Sequence, residues 1–484
     1  MIANNQIKLN EAIEELLKFS LIKRDPNAKT LTIHRLIQAA LKEQMDEDTQ
    51  RLWAERAVRA VSSAFPDVEF STWPLCQQYL PHAIVCRTLI EQWHLEFQEA
   101  AELFYKAGYY LWDRSQYTEV EPFLQSALAI QEKLLGPENL ELAQTLNLLG
   151  VIYIDEDQNS QAEPLLQRAL AIREKLLEQE DPKVAESLHD LGLVYFSEGK
   201  VSLGEAHVQQ AVAIREKVLG REDPDTARSL HVLATISNEQ GKYIQAERLH
   251  RQALEIQEKF FGREHPDTAK SLSALAVTLT YLENFSEAEQ LVRQAVAIRE
   301  KLLGKEHLQT AISLKSLADI LLKQQKYVQA QTLAKRALSI IERALGPKHH
   351  YVAECLWILA QIYKGQKNNR KAEPLYQQAI TISEKSLGQE HFQIADILTG
   401  LGNLYFHEKK YAKAEPCYQR AIAIYETVFG VDYPLPQLAH VLDQYAALLR
   451  QTKRTVEAIE VASRAQGIRT RISEESSIKS KPGS

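Results

Sequence analysis

Only four cysteines occur in the 484 residues: Cys76, Cys86, Cys355 and Cys417. They are too far apart for a zinc pattern and too sparse for a disulfide framework, so a reducing, cytoplasmic compartment is the simplest expectation. No apolar run approaches the ~18 residues of a membrane span, and the opening MIANNQIKLNEAIEELL lacks a secretory profile. An excess of positive charge is missing as well. The 57 Lys+Arg against 64 Asp+Glu leave a formal −7, which exerts no general pull on nucleic acid or anionic lipid. Catalytic signatures are also absent: no G-x-x-x-x-G-K-[ST] loop to cradle phosphates, no G-x-S-x-G and no G-x-G-x-x-G. The expectation is a non-enzymatic chain with no catalytic residues, no cofactor and no metal.

What is present is a repeat. Ala127, Ala169, Ala211, Ala253, Ala295, Ala337, Ala379 and Ala421 are spaced by 42 residues without exception. Gly108, Gly150, Gly192, Ala234, Ala276, Ala318, Ala360 and Gly402 run in step, as do Ala162, Gly204, Ala246, Ala288, Ala330, Ala372 and Ala414. After Gly430 two residues are inserted and the pattern resumes at Ala446, Ala458 and Ala465. Length alone suggests about three domains, but an array of about nine units replaces that estimate.

Each unit reads as two helices. PDTARSLHVLATISNEQ (224–240) places Leu230, Leu233, Ala234 and Ser237 at helical spacing, and YIQAERLHRQALEIQEKFF (243–261) places Ala246, Leu249, Ala253, Ile256 and Phe260 on one stripe. Gly220, Gly262, Gly304, Gly346 and Gly388 fall just past the second helix, where a left-handed cap is expected, and Pro224 and Pro266 suit the first turn of the next helix. One helix pair cannot bury both of its faces, so the pairs must stack around a continuous core. The fold class is all-α, an α-solenoid.

The string AERLHRQALEIQEKFFGREHPDTAKSLSALA (246–276) closely resembles the 42-residue tetratricopeptide repeats of kinesin light chains and many bacterial proteins. The resemblance spans roughly residues 97–470 and implies a right-handed TPR superhelix whose first helices line a concave groove. In that family the residue three before the small Gly or Ala of the first helix faces the groove. Here the series contains Asn147, His189, His231, Ser273, Lys315 and Trp357; one turn away come Arg228, Lys270, Gln361 and Asn403. Arg228, His231, Lys270 and Lys315 make the middle cationic, while Glu354, Asp396 and Asp443 make the C-terminal end acidic. Such a groove suits an extended protein or peptide ligand with an acidic and a basic segment, and Trp357 is an aromatic anchor.

Residues 1–92 do not fit the repeat. NEAIEELLKFS (10–20) reads as a helix, LIKRD (21–25) and KTLTIH (29–34) as two short strands, and RLIQAALKEQM (35–45) as a helix again. This is the outline of a small winged-helix-like α+β segment over 1–45, followed by a helical connector over 46–96, the superhelix over 97–472 and a disordered tail over 473–484. The strings at 21–38 and 73–83 resemble the junction of NB-ARC-type STAND ATPases with their TPR sensor arms. That resemblance implies a nucleotide-binding domain as a partner, in cis or in trans, and a nucleotide-sensing role for His34. Arg35 stands where the family has Asp. A winged helix also binds DNA, but Glu43, Asp46, Glu47 and Asp48 dilute Lys23, Arg24, Lys29, Arg35 and Lys42, so nucleic acid is not the expected partner.

Fourteen histidines invite metal readings. His265, His307, His349 and His391 are 42 apart in the inter-repeat loop, which points to loop and capping roles. The adjacent pair His349-His350 has no Cys or carboxylate nearby at metal-site spacing, and His189 and His231 are merely one repeat apart.

Overall fold

The computed structural model of the chain describes residues 22–25, 30–33 and 35–479. These form two compact units. One runs through Tyr110 and includes Ala129–Leu134; the other holds Leu111–Leu128 and everything from Leu135 onward.

In the first unit, strands β1 (Ile22–Asp25) and β2 (Thr30–Ile33) pair antiparallel, with Ile22 opposite Ile33 and Asp25 opposite Thr30. Helix α1 (Arg35–Glu43) follows, then α2 (Glu47–Ala64), whose N-cap Asp46 accepts from the Thr49 N–H at 2.7 Å, and α3 (Trp73–Trp93). The helix expected over 10–20 and His34 lie outside the described residues, so the hairpin and α1 alone do not establish a winged helix. The unit also extends beyond the boundary expected at residue 96. Arg59 pairs with Glu99 and stacks on Phe97, Lys106 meets Asp67 at 3.0 Å, and Lys133 meets Glu96 at 2.5 Å. Charge pairing thus ties the first repeat to the connector.

The repeats follow as helix pairs, A then B. Repeat 1 is Gln98–Asp113 and Tyr117–Leu135; repeat 2, Leu140–Asp155 and Asn159–Leu176; repeat 3, Pro182–Ser197 and Val201–Val218. Repeat 4 is Pro224–Glu239 and Tyr243–Phe261; repeat 5, Pro266–Tyr281 and Phe285–Leu302; repeat 6, Leu308–Lys323 and Tyr327–Leu345. Repeat 7 is His350–Gly365 and Asn369–Ser386; repeat 8, Phe392–His407 and Tyr411–Phe429; repeat 9, Pro436–Gln451 and Thr455–Lys479.

The recurring small residues are fully buried where backbones meet. A Cβ on Gly150 would stand 2.6 Å from Leu166, and one on Gly192 would stand 2.5 Å from Val208. Gly262 and Gly346, after the B helices of repeats 4 and 6, do not form the expected left-handed cap. Gly262 has φ 84° and ψ 175°, a region essentially reserved for glycine. The left-handed residue instead closes the A–B turn, and it is seldom glycine: Ser115, Asp157, Glu283, Gln325, Lys367 and Lys409 all have φ between 55° and 61°. Every described A helix of repeats 2–8 begins on a side-chain cap. Asn139, Asp181 and Asp223 serve in repeats 2–4, and the imidazoles of His265, His307, His349 and His391 in repeats 5–8.

The expected disordered tail from residue 473 is helical through Lys479. Ile472 packs on the core, and Arg471 donates to the Asp432 carbonyl at 2.7 Å, which carries the last helix onward.

The second unit also coils back on itself with a period of five repeats. The A–B turns of repeats 1 and 2 touch the loops that open repeats 6 and 7: His307 meets the Arg114 carbonyl at 3.2 Å and His349 the Asp155 carbonyl at 2.9 Å. Phe196 meets Phe392 with centroids 5.9 Å apart, and a Cβ on Gly241 would stand 2.4 Å from Pro436.

Candidate functional site

A helices bury most of their surface and B helices much less: ten residues of Leu140–Asp155 are buried against six of Asn159–Leu176. The A helices therefore form the inner layer, and their exposed residues face the inside of the coil. The sequence-predicted groove residues divide into three groups on this layer.

The first group is not at the surface. Asn147 and His189 are each 4% exposed and Ser273 8%, and all three are committed to a polar seam between repeats. Arg173 donates to Asn147 (3.2 Å), to Ser187 (2.7 Å) and to the Lys183 carbonyl (2.9 Å), while Asn147 donates to Asp190 at 2.5 Å. Arg215 reaches Ser229 at 2.6 Å, which in turn contacts His189 at 3.2 Å. Arg299 reaches Ser313 at 2.7 Å, which contacts Ser273 at 3.1 Å. These residues hold repeats together. The signal was present at 42-residue spacing: Arg173, Arg215 and Arg299 each precede a serine by 14 positions, whereas later repeats pair Ile341 with Cys355 and Ser383 with Ile397. Burial raises the Asp190 carboxyl to about 7, assisted by Glu186 and opposed by Asn147.

The second group converges. Arg228, His231 and Lys270 line one cleft between repeats 4 and 5, together with Asp225, Phe261 and Asp267. Arg228 lies 3.5 Å from Asp225. The ammonium of Lys270 has no hydrogen bond or ion pair among the described residues. It is exposed at its own surface but surrounded by protein at longer range, which lowers its pKa from the ordinary lysine value. His231 faces His250, centroids 5.1 Å apart; burial holds both imidazoles well down, His250 at about 4, so both are neutral at pH 7. His189 and His231 do not converge on a metal.

The third group is spent or half-spent. Lys315 pairs with Glu354 of the next repeat and lies 4.7 Å from the centre of the Tyr351 ring. Burial works most strongly against both charges, but their pairing together with neighbouring groups outweighs it, raising Lys315 and lowering Glu354. Lys315 is therefore not a free groove cation. Asn403 accepts from the Tyr418 hydroxyl at 2.8 Å. Trp357 and Gln361, one turn apart, keep Nε1 and Nε2 without hydrogen-bond partners among the described residues.

Sequence reasoning missed Glu239. Burial, then Asp396 and Glu354, push its carboxyl up to about 8, and Asp396 is itself raised to about 6 by burial. These acids come from repeats 4, 7 and 8, and only the coiling brings them within electrostatic range. The inner layer thus carries a cleft at repeats 4–5 in which Arg228 and Lys270 stand beside Asp225 and Asp267, and a group of carboxyls, Glu239, Glu354 and Asp396, within electrostatic range of one another.

The pair His349-His350 also differs from expectation. A carboxylate is present, contributed by Asp157 from the turn of repeat 2. Among the described residues all four cysteines are free thiols, and no helix is long and apolar enough to cross a membrane.

The family described as Tetratricopeptide repeat matches residues 99–175, 183–258, 233–301, 309–385 and 393–471, more than half of the chain. A second family, described as Domain of unknown function (DUF7779), matches residues 2–50. No curated protein matches the chain in sequence. Among solved structures, Rap protein complexed with Competence and Sporulation Factor is similar at TM-score 0.58 and 16% identity, covering 78% of this chain and 99% of that one. Kinesin-light-chain-like, nearly identical TPR-like repeats from Podosopora anserina are 30% identical over 41% of this chain and 94% of theirs, with TM-score 0.35. BtubC (BKLC) from P. vanneervenii is 19% identical over 51% and 92%, also at 0.35. None of these matches supports the winged-helix or STAND reading of the first ninety residues. The 42-residue helix pairs with their buried small residues and the family match over most of their length agree: the chain belongs to the tetratricopeptide-repeat family.

Proposed function

We propose that the chain is a binding module rather than an enzyme, and that its inner layer takes a protein or peptide ligand across repeats 4–8. The observation that carries this reading is the cleft of Arg228, His231 and Lys270, in which the Lys270 ammonium has no hydrogen-bond or ion-pair partner among the described residues. A carboxylate or acidic side chain of the ligand supplies that partner. A basic group of the same ligand then faces Glu239 and Asp396, with the Trp357 ring between the ends. The Rap structure, of the same fold, was solved in complex with Competence and Sporulation Factor.

Affinity capture with the full chain and with a variant carrying Arg228→Ala, Lys270→Ala and Trp357→Ala tests this. Both proteins are first matched by helical circular dichroism. A partner captured by the wild type and lost by the folded variant supports the inner layer; equal capture moves the site to the outer face or the first unit.

The finer reading is an arm of a STAND-type ATPase in the cytoplasm, passing ligand capture through residues 46–96 to a nucleotide-binding domain. It rests on the strings at 21–38 and 73–83. The alternative is a free-standing adaptor of the kinesin-light-chain kind, with no nucleotide switch. A P-loop ATPase whose capture changes between ADP and ATP supports the arm; capture indifferent to nucleotide supports the adaptor.

A further inference from the structure

We propose that Asp157, His349 and His350 form a binding site for a divalent transition cation of the zinc type, which joins repeat 2 to repeat 7. Asp157 closes the A–B turn of repeat 2 and His349-His350 opens repeat 7, 193 residues further along the chain. The carboxylate oxygens and the ring nitrogens offered by the two histidines lie within 4.8 Å of one another. Asp157 Oδ1 contacts His350 Nδ1, while Oδ2 accepts from the His350 backbone N–H at 2.7 Å and lies 3.7 Å from His349 Nδ1. The three side chains are only 8%, 3% and 19% exposed.

The outer contacts match those of a ligating histidine. His349 Nδ1 accepts from the Tyr351 N–H at 3.2 Å, so Nε2 carries the hydrogen and donates it to the Asp155 carbonyl. A backbone carbonyl holding the far N–H in this way fixes the tautomer that leaves Nδ1 as the acceptor.

The neighbouring repeats act as internal controls. The turns of repeats 1 and 3 and the loops of repeats 6 and 8 meet at the corresponding places, yet their residues are Ser115 with His307-Leu308 and Gly199 with His391-Phe392. Only the pairing of repeats 2 and 7 puts a carboxylate at the turn and a second imidazole after the capping one. Capping and coil contact require neither, as the adjacent repeats show.

Two imidazoles and one carboxylate suit Zn2+ or Co2+ and not Ca2+ or Mg2+, with water in the fourth position. On binding, His349 Nδ1 exchanges the weak Tyr351 bond for the cation. For His350 to ligate through Nδ1, its ring must carry its hydrogen on Nε2.

The test is equilibrium dialysis of the full, metal-stripped chain against Zn2+ with elemental analysis, plus Co2+ absorbance to report tetrahedral coordination. Two variants copy residues that the neighbouring repeats already tolerate: Asp157→Gly and His350→Leu. His391→Ala is the control outside the site. The wild type and His391→Ala are expected to take up roughly one Zn2+ per chain with a tetrahedral Co2+ spectrum, and each site variant to bind at least ~10-fold more weakly. No saturable uptake by the wild type, or equal uptake by Asp157→Gly and His350→Leu, would overturn the proposal.

Discussion

The imidazole of His349 uses both nitrogens: Nδ1 caps its own helix at the Tyr351 N–H, and Nε2 donates to the carbonyl of Asp155, 194 residues upstream. His307 does the same at Gln309 and at Arg114. In repeats 6 and 7 a capping residue thus doubles as a fastener to the turn five repeats back.

The two roles separate by substitution. His307→Asp keeps a cap of the kind Asp223 provides in repeat 4 but removes the reach to Arg114. His307→Ala removes both. The alanine variant should lose ~1–2 kcal/mol locally and the aspartate variant about half of that. Hydrogen exchange at the first turn of Leu308–Lys323 measures the difference, and equal protection in the two variants would deny the coil contact.

The polar seam between repeats should be costly to break on one side only. Arg299→Ile leaves Ser313 and the Gln309 carbonyl without their donor and should destabilise by ~2–4 kcal/mol in urea unfolding. Adding Ser313→Cys copies the Ile341 and Cys355 pairing and should recover part of that loss. No recovery would mean that the seam is not a pairwise exchange.

Asp190 sets a pH dependence. Its folded carboxyl titrates at about 7, above the ordinary value of about 4, so the folded chain holds a proton that the unfolded chain releases between those values. Its contribution is complete below about pH 4 and is lost as pH rises through about 7. Relative to Asp190→Asn, which stays neutral, the wild type should lose up to ~4 kcal/mol between pH 4 and pH 8. Urea unfolding of both proteins at the two pH values checks this; a constant gap would contradict it.

Close helix approach predicts the effect of a single methyl group. Gly150→Ala drives a Cβ onto Leu166 and should destabilise by ~1–3 kcal/mol, with Leu166→Val restoring part of it in thermal unfolding.

The parts of the fold written in the sequence are those with a local period. Ala127 through Ala421 and the Pro224 and Pro266 starts place nearly every helix, because close packing and φ preference act within one repeat. The five-repeat closure is not written that way. The coil's pitch is set by small rotations summed over many pairs, so Asp157 with His350, and Glu239 with Asp396, share no spacing rule. The groove series misled at Asn147, His189 and Ser273 for a related reason: the same helical position is open or covered depending on whether the next repeat brings a serine to it. Arg228 and Lys270 were legible because nothing in the frame required a cation there.

A ligand seated in the cleft of repeats 4 and 5 covers Lys270. Lysine footprinting by mass spectrometry, with and without the captured partner, measures it most directly. Lys270 should lose reactivity on binding, while Lys259 and Lys301, on the B helices and more than 60% exposed, should stay unchanged. An unchanged Lys270 alongside protection of Lys259 or Lys301 would contradict the account and place recognition on the outer face.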